Sequence, residues 1–175
     1  MRNLVEQLSA YAAYHRHPRN VLIHCVGIPL IVVATAVLLS RPSIFAMGWA
    51  FTPALAVAVC ATAYYLWLDL GLGLLMALLL GLALWFGAWS AALPTPTWLA
   101  MGLGGFVVGW VLQGVGHLIE GRKPAFVDDL IGLAIGPLFV VAEVLFWLGF
   151  RPGLRSALAA ATDTDALLIE DKDAS

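Results

Sequence analysis

Charge is what this sequence has least of. Nine basic and eleven acidic side chains in 175 residues make 11% charged, where a soluble domain carries about 25%. That shortage excludes a soluble globular domain, and a net charge of −2 with no dense basic stripe excludes nucleic-acid binding. Cysteine is scarce too. Cys25 and Cys60 lie in apolar runs without a close-spaced Cys or His partner, and read as small buried hydrophobes. His-xx-His and His-xx-His-His boxes are absent, which removes desaturase-type chemistry. Residues 1–17 are too polar for the apolar core of a cleavable signal peptide, so the first hydrophobic run is expected to be a retained span.

What is present is hydrocarbon-grade sequence: 62% of residues are hydrophobic and the mean hydropathy is +0.92. The pattern predicts an all-α integral membrane helical bundle in one catalytic-sized domain, residues 1–155, with an acidic, disordered tail over 156–175. Leu4, Val5, Leu8, Tyr11 and Ala12 are spaced as an amphipathic surface helix within Asn3–Tyr14. Four full spans of about 20 residues follow: Val21–Ser40, Phe45–Leu68, Gly71–Leu93 and Trp98–Glu120. A last apolar stretch, Leu130–Phe150, is broken at Gly136-Pro137 and is either a re-entrant pair of half-helices or a fifth span. Arg2, Arg16 and Arg19 before the first span predict a cytoplasmic N-terminus.

Polar side chains cluster at one end of this scaffold. Gln113, His117 and Glu120 share one helix face, within about 60° at 100° per residue. With the N-terminus inside, His15, His17 and His24 reach the same membrane face as His117 and Glu120. Such a stripe needs partners in hydrocarbon: a metal, polar groups of another helix, or water. Imidazole and carboxylate suit iron, manganese or zinc, so His15, His24 and His117 with Glu120 nearby can fill three or four positions on an ion. Asn20, one turn before His24, can orient a ligand or a substrate, and Gln113 can do the same for His117. His17 beside Arg16 reads as interfacial, Asp69 as a helix-end turn residue, and Glu143 as either structural or a support to the site. Gly102, Gly104, Gly105 and Gly109 read as packing. A haem-binding electron carrier, a small transporter and a non-catalytic scaffold are the competing readings.

Two blocks together resemble a known family. One is Tyr14-His15-Arg-His-Pro-Arg-Asn20-Val-Leu-Ile-His24-Cys-Val-Gly-Ile-Pro29. The other is Gln113-Gly-Val-Gly-His117-Leu-Ile-Glu120-Gly-Arg-Lys-Pro124-Ala-Phe-Val-Asp128-Asp129, followed by Gly136-Pro137-Leu-Phe-Val-Val-Ala-Glu143. The chain is similar over most of residues 11–147 to the membrane 2-hydroxy fatty acid dioxygenases. The resemblance implies an Fe(II)-dependent α-oxidation in which a 2-hydroxy fatty acid and dioxygen give a fatty acid one carbon shorter. It also implies that His15, His24 and His117 hold the iron or are essential to the site. Asn20, Gln113, Glu120, Asp128 and Glu143 are the candidate catalytic residues, and the last three match the family's motif. His17 and Asp129 stand where relatives often carry Asn. The substrate's tail is expected between apolar helices, with its head at the membrane face.

Overall fold

The computed structural model describes residues 3–46, 49–121 and 131–161. They form an all-α membrane bundle with one small β-ribbon. The order is α1 (Leu4–Ala12), α2 (Pro18–Ser40), β1 (Ile44–Ala46), β2 (Trp49–Phe51), α3 (Pro53–Leu68), α4 (Leu70–Ala91), α5 (Thr95–Glu120), α6 (Ile131–Trp147) and α7 (Pro152–Ala161). Helices α2, α4 and α5 are long and apolar enough to cross a bilayer, and α6 with α7, which meet at 119°, is the fourth candidate.

Local chemistry sets the helix ends. Asn3 and Glu6 form a capping box at α1, with the Glu6 N–H donating to Asn3 Oδ1 at 2.9 Å and the Asn3 N–H to Glu6 Oε2 at 3.0 Å. Pro18 opens α2 behind His17, whose Nδ1 accepts from the Arg19 N–H at 3.2 Å. The second apolar run does not begin its helix at Phe45. Residues 44–51 pair instead as an antiparallel ribbon, Ile44 opposite Phe51, and α3 starts at Pro53. The proline disfavours a helical conformation in the residue before it. Thr52 is accordingly extended, at φ −114° and ψ 152°, and caps the Leu55 N–H at 3.1 Å. The 16 residues of α3 span about 24 Å, short of the ~30 Å hydrocarbon core.

Gly136-Pro137 does not interrupt the last apolar stretch either, since Pro137 lies within a continuous α6. The chain turns after Trp147, where Gly149 (φ 82°) and Arg151 (φ 57°) are left-handed. Arg151 is held there by both oxygens of Asp69, the residue that ends α3 and caps α4 through the Leu72 N–H at 2.8 Å. Helix α7 runs to Ala161, past the expected boundary at residue 155. The expected tail from 162 onward and the 122–130 loop lie outside the described residues.

Helix α2 is the hub, packing on α3, α4, α5 and α6. Its closest neighbour is α5. A side chain at Gly109 would meet Ile31 and, at 3.1 Å, the Gly27 carbonyl, while one at Gly27 would meet the Gln113 amide and, at 3.2 Å, the Gly109 carbonyl. Gly102 and Gly105 also face α2, whereas Gly104 faces open space. Trp98 closes the far end, donating to the Val37 carbonyl at 2.9 Å under the Arg41 guanidinium. On the other side of α2 the apolar core is built from α1, α3, α4 and α6 around Leu8, Leu72, Met76 and Leu138. There Tyr65 donates to the Ala134 carbonyl at 2.7 Å.

The Asp69–Arg151 pair has a definite pH signature. The hydrogen bond from Arg151 holds the Asp69 carboxyl below the usual carboxylate range. Its stabilising contribution is therefore present above the unfolded pKa of about 3.9 and is lost as pH falls through the depressed folded value. In Asp69→Asn, which keeps a capping side chain, the thermal midpoint in detergent is expected to fall by a few degrees near neutrality and to converge with that of the unaltered protein in acid. A gap that stays constant with pH would show that the charge of Asp69 is not what stabilises the fold.

Candidate functional site

Three imidazoles from three places in the chain meet in one buried cluster. His15 comes from the link between α1 and α2, His24 from the start of α2, and His117 from the last turn of α5; they are 4%, 1% and 7% exposed. Ring centroids are 4.4 Å apart for His15 and His24, 4.9 Å for His24 and His117, and 5.1 Å for His15 and His117. One nitrogen from each lies within 4.8 Å of the others.

Backbone carbonyls fix the tautomers. His15 Nδ1 lies 2.8 Å from the Tyr11 carbonyl and His24 Nδ1 lies 3.0 Å from the Asn20 carbonyl. A carbonyl oxygen only accepts, so each Nδ1 carries the proton and donates. The two Nε2 atoms are left with bare lone pairs, and these face each other at 3.1 Å. Two lone pairs repel unless a proton or a metal ion lies between them. Burial pushes the His15 imidazole down to about 4, the charges of His117 adding to that effect and the Tyr11 carbonyl opposing it, so a shared proton is disfavoured near neutrality. Two imidazole nitrogens side by side on one ion at about 2.1 Å would stand about 3 Å apart. The donor set therefore fits a borderline divalent metal. His24 and His117, the pair that could serve as axial ligands, have ring centroids 4.9 Å apart, too close for a haem iron with an imidazole on each side, which disfavours the haem reading.

The neighbours of the cluster hold it rigid. Tyr11 stacks on His15 with centroids 4.2 Å apart and planes 7° apart, and Phe139 of α6 packs behind both. Glu120 is not one of the converging groups. Its Oε1 accepts from the Arg16 N–H at 3.0 Å, and its Oε2 from the His17 N–H at 2.9 Å and from Asn20 Nδ2 at 3.0 Å. The carboxylate thus clamps the link that carries His15 to the end of α5. Gly121, left-handed at φ 71°, stops α5 with its N–H on the His117 carbonyl at 3.0 Å. Gly116 lets α2 come close: a side chain there would strike Asn20 Oδ1 and, at 3.0 Å, the His24 ring.

A cavity opens beside the cluster, lined by Tyr11, His24, Gln113 and His117 on one side and by Ile28, Val32 and Pro137 on another. Gln113 is buried, and its Nε2 has no hydrogen-bond partner among the described residues; nor has Asn20 Oδ1. A buried donor left unpaired costs about 1–3 kcal/mol, so the amide in the cavity wall marks a place where a ligand oxygen is needed.

Of the residues singled out from sequence, the fold brings together His15, His24 and His117 with Asn20, Gln113 and Glu120 around them. His17 is exposed and serves as a helix cap. Glu143 is half-buried on α6 and does not join the histidines; its electrostatic neighbours are Cys25 and Arg155. Asp128 and Asp129 lie outside the described residues. The roles of Tyr11 and Gly116 were not read from sequence. The spacing predicts Tyr11 only as one apolar position of an amphipathic helix, although it stands four residues before His15.

The profile of the family described as 2-hydroxy-palmitic acid dioxygenase Mpo1-like matches residues 1–148. The 2-hydroxy-palmitic acid dioxygenase MPO1 of Saccharomyces cerevisiae is 37% identical over 160 residues, which cover 89% of this chain and 87% of that protein. No solved structure matches the chain.

Glu120 and His17 are expected to separate in metal binding. Glu120→Ala should weaken Co(II) or Zn(II) binding about 10–100-fold, as loss of a group that positions a ligand does, whereas His17→Ala should leave it unchanged. Competition with a chromophoric chelator measures both. An equal loss in the two variants would overturn the clamp.

Proposed function

The chain belongs to the 2-hydroxy-palmitic acid dioxygenase Mpo1-like family, and from that premise we propose that it is an Fe(II)-dependent membrane dioxygenase that shortens 2-hydroxy fatty acids by one carbon. The observation that carries the metal is the pair of bare Nε2 atoms facing each other at 3.1 Å, with His117 as the third ligand. Bound there, Fe(II) supplies the redox chemistry by which dioxygen reacts with the hydroxy acid. The substrate's own C1–C2 and C2–H bonds provide the four electrons that reduce dioxygen; fatty acid, carbon dioxide and water close the balance, and no 2-oxoglutarate is consumed.

The protein's own groups do the positioning. Gln113 donates its free amide hydrogen to the carboxylate or hydroxyl of the substrate, fixing the head beside the imidazoles. Asn20 and Glu120 keep the His15 link in register, and Tyr11 with Phe139 keeps bulk water from the His15 ring. Arg16 and Arg19, both exposed, draw the carboxylate toward the site. With Arg2 they bias the N-terminal end, and with it the site, to the cytoplasmic side of a multi-pass protein. Asp128 and Glu143 are assigned supporting roles in catalysis, both on the strength of the family resemblance.

The test is turnover by protein purified without oxygen and then given Fe(II), oxygen and 2-hydroxypalmitic acid. A fatty acid one carbon shorter is expected, and none from His24→Ala or His117→Ala. Gln113→Leu should keep its iron but lose about 10–100-fold in kcat/KM, the worth of a hydrogen bond to a charged group. Full loading with iron and no shortened product would sink this function.

A further inference from the structure

Below the histidine cavity a second, larger hollow runs between α2, α4 and α6, with a volume of about 460 Å³, in the range of ligand sites. Ile28, Val32 and Pro137 line both spaces, so the two share one wall. Every residue lining the larger hollow is apolar. Its floor is buried, at Met76 (2% exposed), Ala83 (6%) and Val140 (4%), while Leu79 and Leu82 on its lip are 40% and 53% exposed toward the lipid side of α4. Such a groove has nothing with which to hold a head group and is open sideways to hydrocarbon.

The groove also has an end. One residue beyond Phe86, a side chain at Gly87 would strike Ser40 and lie 2.8 Å from the Ala36 carbonyl, so α2 and α4 close on each other there. Phe86 stands in front of that closure, packed on Trp89 with ring centroids 5.4 Å apart. From Met76 to Phe86 the groove follows α4 for about 15 Å. Pro29 and Pro137, the prolines inside α2 and α6, both line it. Neither can donate the helix hydrogen bond that would tighten its turn.

We propose that the tail of the 2-hydroxy acid lies in this α2–α4–α6 groove and that Phe86 and Ala83 set its accepted length. The proposal rests on the function given above and adds the tail's path to it. The partition between the histidine cavity and the groove is made of Ile28, Val32 and Pro137, so a tail that passes it meets no polar group. A phospholipid tail from the bilayer is the competing occupant.

Two measurements decide. The first uses 2-hydroxypalmitic acid with a diazirine at its terminal carbon, photolysed in the full-length protein and mapped by peptide mass spectrometry. Label is expected on residues 79–86 of α4, and excess unmodified 2-hydroxypalmitic acid should remove it. Label spread over the outer faces of α4 and α5, at Leu74, Leu78, Val107 or Val111, and insensitive to that competitor would overturn the proposal in favour of bilayer lipid. The second is the chain-length profile. Phe86→Ala should raise the kcat/KM ratio of 2-hydroxystearic to 2-hydroxymyristic acid about tenfold, the discrimination expected of a few methylenes in an apolar pocket. Ala83→Phe should lower it. An active Phe86→Ala enzyme with an unmoved ratio would overturn Phe86 as the stop, even where Ala83→Phe does not fold. If the unaltered protein turns over no 2-hydroxy acid, the dioxygenase reading fails, and the label map still decides the groove.

Discussion

Two imidazole lone pairs brought face to face at 3.1 Å repel each other, and the rest of the site is arranged to keep them there. The Tyr11 and Asn20 carbonyls take the Nδ1 protons, so neither ring can escape by exchanging tautomers. Tyr11 and Phe139 stop the His15 ring from turning. Burial makes protonation of His15 unfavourable, which closes the proton route to relief. A divalent cation is the remaining one. Glu120 completes the arrangement from outside, because its carboxylate is fully engaged in tying residues 16, 17 and 20 to the end of α5. A negative charge one turn from the histidines would therefore support a bound cation without contributing a ligand.

The bundle makes this arrangement possible by keeping helix surfaces plain elsewhere. In lipid, helices gain nothing from hiding Leu or Val, so close packing and internal hydrogen bonds hold them together. Helix α5 shows the division along one face. Gly102, Gly105 and Gly109 let it approach α2, and the same face then continues as Gln113, Gly116 and His117, where the approach is used to bring polar groups together. The hub helix α2 carries Gly27 for packing and Asn20 and His24 for the site. Packing and chemistry thus share one interface, and an error in the first is felt in the second.

The histidine cluster was legible because hydrocarbon makes polar residues conspicuous: His24, Gln113, His117 and Glu120 interrupt otherwise apolar runs, and the topology expected from sequence puts them at one face. The helical class followed from the same contrast. The geometry was less legible. Glu120 and His117 share a helix face, which is as compatible with common ligation as with the clamp that the fold shows. The positions of the Arg16 and His17 N–H groups and of the Asn20 amide separate the two, and these lie 100 or more residues away in sequence. The start of α3 was misread because hydrophobicity ignores conformation: Phe45 and Phe51 are as apolar as a span requires, but Pro53 pushes Thr52 into an extended state and a ribbon forms before it. Pro137 misled in the opposite direction. A proline in an apolar run predicts a break, yet neighbours packed around a helix can carry a proline inside it, and the turn comes at Gly149 and Arg151, where an ion pair to Asp69 holds the left-handed backbone.

The membrane also changes how a substrate of this kind can be recognised. A tail taken from water would gain about 0.8 kcal/mol for each methylene buried, and any apolar groove would bind it tightly. A tail taken from the bilayer leaves one hydrocarbon surrounding for another and gains almost nothing. Affinity must then come from the head, where the unpaired Gln113 amide and the histidines offer interactions that lipid cannot. The groove would act through shape instead. A tail too short would leave empty space beside Ala83 and Phe86, and one too long would meet the contact of α2 with α4 at Gly87. Both misfits cost energy through packing, whatever the hydrophobic effect contributes. Head and tail would thus be read by different physics on the two sides of one wall, Ile28, Val32 and Pro137. An enzyme that finds its substrate in a sea of other acyl chains needs both, because the head separates hydroxy acids from ordinary lipid and only the fit of the tail separates one hydroxy acid from another.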